Sequence, residues 1–188
     1  IPIEEVQAIV ETLVRETRRR LRKLARQLQD NEISTPTFFR EAALLLKQSH
    51  LLAASIGRGG KAQMTARTWG IAGAELKRQY RYLNRFERLT SNGKLVAAQI
   101  LRRIGLYSSS VRRAYYIQLV DEQKQRKELF ALRSLDAAES CLDCIRYASW
   151  LWHPIAELVP PTEKCACGQF CKCSVHLTTV APKNRQMK

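Results

Sequence analysis

Acidic side chains are scarce in this sequence. Its 188 residues carry 17 Asp and Glu against 32 Lys and Arg, a formal net charge of +15. That excess excludes nothing about fold, but it makes nucleic acid, acidic substrates or an anionic surface the expected neighbours. Long apolar runs are missing too. None approaches the roughly eighteen residues of a membrane span, and no apolar signal segment opens the chain, so a soluble protein not secreted by the usual route is expected. The chain opens at Ile1 without Met, as a processed or partial chain would. Only three histidines occur, His50, His153 and His176, far apart and outside any HExxH pattern. There is no GxSxG and no Walker loop, because Gly57-Arg58-Gly59-Gly60 has the wrong spacing and lacks a following Lys-Ser/Thr. Asp136, Glu139 and Asp143 form no metal-binding carboxylate pattern and read as turn or surface residues. No catalytic residue is assigned, and an enzyme is not expected.

With 45% hydrophobic and 26% charged residues, the chain can bury a core and is not a disordered polyelectrolyte. Ile3, Val6, Val10, Leu13, Leu21, Leu24 and Leu28 recur at helical spacing and fall in one arc, with Arg15, Arg18, Arg19, Arg22 and Arg26 on the other side. One face is core; the other is a cationic stripe, the candidate phosphate-facing surface. Glu11 and Glu16 can neutralise part of it. Ser34-Thr35-Pro36 starts a second helix and Gly57–Gly60 ends it, with Arg58 and Lys61 read as part of a connector. Thr65 caps a third, through Trp69, Ala72, Leu76, Tyr80 and Leu83 to the stop at Ser91-Asn92-Gly93. Gly70 and Gly73 inside it predict close approach of another helix. Helical periodicity continues from Lys94 to about Lys127, with a break near Gly105. His50, beside Leu51 and Leu52, reads as a buried, hydrogen-bonded side chain.

Beyond that the character changes. All six cysteines lie between Cys141 and Cys173, Pro154, Pro160 and Pro161 exclude long helices, and Cys173–Thr178 alternates as a strand does. The expected fold is therefore mainly α: a helical body over 1–127, a small zinc-binding module with short β-strands over 128–181, and a polar tail over 182–188. Cys141-x2-Cys144 followed after twenty residues by Cys165-x-Cys167-x3-Cys171-x-Cys173 suits one structural Zn2+, since paired thiolates reach one ion at ~2.3 Å with little backbone strain. Cys141 and Cys144 are the firm members; Cys167 with Cys171 or Cys173 are favoured for the remaining positions. Disulfides and a redox-active Cys-x2-Cys are the alternatives, and His153 or His176 could replace a thiolate.

Gly59-Gly60, Trp69, Tyr80-Arg81-Tyr82-Leu83, Phe86, Tyr107, Cys141-Leu142-Asp143-Cys144 and Cys171-Lys172-Cys173 together resemble the minor head proteins, or head morphogenesis family, of tailed bacteriophages, over about residues 55 to 178. That family often carries His-Pro three residues before the last Cys-x-Cys. Gly168 occupies the histidine position here, and Cys165 or Cys167 just upstream can supply that ligand. The resemblance implies a structural virion protein, present in several copies and bound to capsid or portal protein near packaged DNA. Its implied places are the phage head and, during assembly, the host cytoplasm. A free, nucleic-acid-binding zinc regulator is the rival reading; it would need a recognition helix, and none is apparent.

Overall fold

The computed structural model describes residues 2–95, 97–126, 128–136, 139–161, 163–168, 171–180 and 182. The chain is mainly helical, with a small C-terminal three-stranded sheet and a cysteine cluster. The helices are α1 (Ile3–Gln29), α2 (Thr35–Gly57), α3 (Ala66–Ser91), α4 (Ala97–Leu106), α5 (Ser109–Arg126) and α6 (Leu142–Ala148). The strands are β1 (Phe130–Ser134), β2 (His153–Pro154) and β3 (Ser174–Thr178), in the order β2-β1-β3 with both pairings antiparallel. Lys127 and, apart from Pro182, the tail fall outside the described residues.

The caps act where hydroxyl residues precede the helices. Ser34 accepts a hydrogen bond from the Thr37 amide with Pro36 in the first turn, and Thr65 forms a reciprocal box with Thr68. The predicted break near Gly105 falls just after it, between Leu106 and Ser109. The glycines behave differently from expectation. Gly70 and Gly73 face open space, and no helix approaches them. The close approach is instead at Gly57, where a Cβ would run into the Tyr115 carbonyl oxygen, so this glycine lets α2 lie against α5. Gly59 and Gly60, at φ +86° and +123°, make the turn itself.

Two apolar clusters form the core. Leu21 and Ala25 of α1, Phe38 and Leu46 of α2, Phe86 of α3 and Ile104 of α4 belong to one. Val10 and Val14 of α1, Val111 and Tyr115 of α5, and Ala131, Ile155 and Val175 of the C-terminal segment belong to the other. The sheet therefore shares a core with the helices across the 127/128 junction. Polar pairs are buried between helices. Thr17 donates to Ser49 at 2.9 Å, His50 contacts the Leu46 carbonyl and the Ser110 hydroxyl through its two ring nitrogens, and Glu75 pairs with Arg113 at 3.0 Å and Arg78 at 2.7 Å. Thr17, His50 and Glu75 thus each reach a partner on a neighbouring helix, which fixes how the helices register.

Candidate metal centre

Cys141 caps α6 and Cys144 lies one turn on, a spacing of three that puts both thiols on the same side of the helix. The second pair is brought to them by a turn. The Gly168 amide donates to the Cys165 carbonyl at 2.9 Å, with φ of +51° at Gly168, a conformation that suits glycine. Two bonds tie this turn to α6: the Ala166 amide donates to the Asp143 carboxylate at 2.9 Å, and the Tyr147 hydroxyl donates to the Lys164 carbonyl at 3.2 Å. Asp143, assigned above to a turn or the surface, thus holds the loop that carries two thiols.

The sulfurs form two overlapping sets. Those of Cys141, Cys144, Cys165 and Cys167 all lie within 4.8 Å of one another, and so do those of Cys144, Cys171 and Cys173. All six are free thiols. The Cys144 sulfur is 3.8 Å from that of Cys167 and 3.6 Å from that of Cys171. Sulfurs around one ion at ~2.3 Å stand ~3.8 Å apart in a tetrahedron, so the clustered cysteines could hold a metal ion with little adjustment. The four-thiol set includes Cys165, which the spacing left undecided. Cys171 and Cys173 are held together on the extended approach to β3, with Lys172 pointing outward between them. His153 belongs to neither set; its Nδ1 lies 3.0 Å from the Leu151 carbonyl and its ring packs edge-on against Trp150. His176 is exposed on β3.

One participant had no signal in the spacing. Arg133, on the central strand β1, is only 2% exposed. Its Nη2 donates to the Cys144 sulfur at 3.4 Å and the Cys171 sulfur at 3.3 Å, its Nη1 donates to the Val159 carbonyl at 3.1 Å, and the guanidinium lies over the Tyr147 ring. Against the opposing pull of burial, hydrogen bonds from the Cys144 backbone and with Cys167 hold the Cys141 thiol down at about 6. Burial, with its neighbouring sulfurs, pushes the Cys144 thiol up.

The arginine stripe lies elsewhere. Arg15, Arg18, Arg19, Arg22 and Arg26 are all exposed on α1 and, with Lys23, line one shallow groove. Arg19 pairs with Glu16 at 2.9 Å, Arg18 donates to the Ser108 hydroxyl, and a Cβ on Gly105 would lie 3.3 Å from the Arg22 guanidinium. Glu11 does not neutralise the stripe; it binds Arg112 of α5 through both oxygens. Several other basic residues are committed internally: Arg58 pairs with Glu122 at 2.6 Å, and Arg78 and Arg113 pair with Glu75. The Gly57–Gly60 connector thus turns its arginine toward α5. No helix among the described residues is long and apolar enough to cross a membrane. Comparison with protein-family models, with curated proteins and with solved structures finds no match for this chain.

Proposed function

We propose that this chain is a structural protein of a tailed-phage head, a minor head protein bound to capsid or portal protein, with a single structural Zn2+ and no catalytic role. The observation that carries the reading is the two-sided α1. Its apolar arc is spent on the protein's own core, which leaves a face of six cations with one internal carboxylate partner. A surface of this kind suits a dense polyanion and binds it by releasing counterions, without reading bases. The resemblance of residues 55 to 178 to phage head proteins supplies the setting. Leu142, 83% exposed, and Ile145, also exposed, stand out from α6 beside the sulfurs and suit a protein neighbour.

Two measurements test the reading. Affinity for duplex DNA should fall steeply with salt and vary little with sequence, and replacing Arg15, Arg18, Arg22 and Arg26 by Gln should flatten the salt dependence without unfolding the chain. The protein should also copurify with phage particles. Strong discrimination between DNA sequences would favour the free regulator, and absence from particles would remove the head assignment.

A further inference from the structure

The sequence motif accounts for one ion and four sulfurs, yet six sulfurs meet in one place. Three of them, Cys144, Cys171 and Cys173, make a second triangle of the size a metal ion would need. Cys144 would then bridge two ions, and the second would have three thiolates and one open position. Into this triangle projects Arg133. Its Nη2 touches two of the three sulfurs, at 3.4 Å and 3.3 Å.

A guanidinium cannot lose its proton inside a protein, and burying it without a counter-charge is strongly unfavourable. Among the described residues no carboxylate forms a salt bridge with Arg133. Beyond the sulfurs, to which Cys173 also belongs, its partners are a carbonyl and a tyrosine ring, both neutral. The negative charge must come from sulfur. Neutral thiols are weak acceptors, whereas metal-bound thiolates keep their charge and accept hydrogen bonds from outside the coordination sphere. A second divalent ion in the same triangle would sit against the guanidinium and be repelled by it.

We infer that Arg133 takes the place of a second metal ion: one ion sits among Cys141, Cys144, Cys165 and Cys167, and the guanidinium closes the three-sulfur site of Cys144, Cys171 and Cys173. The inference rests on the metal centre proposed above and adds its stoichiometry. Arg133 acts through the sulfurs and is a positioning residue for the cluster. Removing its charge opens the second site, and Cys144 becomes a bridging ligand.

The test counts metal in the full chain by native mass spectrometry after reconstitution with Zn2+, and again with Cd2+ for NMR of the bound cadmium. Wild type should hold one ion and give a single four-thiolate cadmium signal. The Arg133→Met variant should hold two ions and give two signals coupled through a shared sulfur, while Arg133→Lys, which keeps the charge, should hold one. Should Arg133→Met fail to fold, the wild-type background decides: Cys173→Ser should keep the single ion and Cys165→Ser should lose it. Two ions in wild type overturn the inference. So does one ion in Arg133→Met with Cys171 and Cys173 both open to iodoacetamide, or loss of the single ion in Cys173→Ser. A wild-type chain that takes up no ion overturns the metal centre itself, a failure distinct from the others.

Discussion

At the end of the molecule built by α1 to α4, aromatic rings do the packing. Phe38, Phe39 and Phe86 meet edge to face at 4.8 and 5.2 Å, and Tyr107 stacks on Phe86 at 6.2 Å. At the end that carries α6, the buried cluster consists of sulfur: Cys144, Cys171 and Cys173, with the other three cysteines packed around them. The first end is stabilised by apolar area removed from water and needs no partner. The second has short elements, and on the proposed reading its loops are held by a bound ion. The two ends thus differ in chemistry while the core that α1 and α5 share with the sheet lies between them.

The largest effect separates them outright. On the proposed reading, a chelator, or Cys144→Ser at the sulfur common to both sets, should release the 141–173 segment while α1 to α4 stay folded. Structural zinc sites contribute on the order of 10 kcal/mol to the segments they organise. Amide exchange resolved by residue should show protection lost around Cys141–Cys173 and kept around Phe86. Uniform unfolding would show that the comparison is wrong and that the shared core couples the two ends completely. Conversely, Phe86→Ala should cost about 3–5 kcal/mol in denaturant unfolding. Its metal content should be unchanged.

The smallest effect lies between the two ends. Burial, partly offset by the Leu46 carbonyl, lowers the pKa of His50 below its ordinary 6.5. The folded state thus holds this ring neutral while the unfolded chain takes up a proton. Its contribution is fully present above the unfolded value and is lost as pH falls toward the folded one. Thermal unfolding from about pH 7 to about pH 5 should lose more stability in wild type than in His50→Gln. Equal slopes would remove His50 from the account.

Helix limits were legible because they depend on local chemistry: Ser34 and Thr65 cap, and Gly59, Gly60 and Gly93 turn at positive φ. The apolar arc of α1 was legible for the same reason, although Val14, Thr17 and Ala25 also lie on its buried face. What periodicity could not reveal was charge pairing across the fold. Glu75 and Arg113 sit on different helices, and nothing within either helix marks them as partners. Likewise the role of a glycine depends on which neighbour arrives: Gly57, read as part of a helix stop, takes the close approach, and Gly70, read as a packing site, faces open space. At the cysteine cluster the meeting of Cys141 with Cys144 was legible from their spacing. The grouping of six sulfurs and the arrival of Arg133 are set by the β2-β1-β3 order, which spacing does not encode.

The contact between α1 and β3 bears on the order in which the chain folds. The Gln7 side chain donates to the Val175 carbonyl at 2.7 Å, joining residues 168 positions apart. During synthesis the cluster around Phe86 can form once α4 has left the ribosome, because all its members precede Ser108. The cluster that holds Val10 and Val14 is completed only by Val175 and Leu177 of a strand made much later. Such long-range closure is slow relative to local helix formation. A nascent chain stalled before β3 would carry an aromatic core already assembled and an apolar patch on α1 still uncovered, and that interval is when aggregation or chaperone capture has its opening.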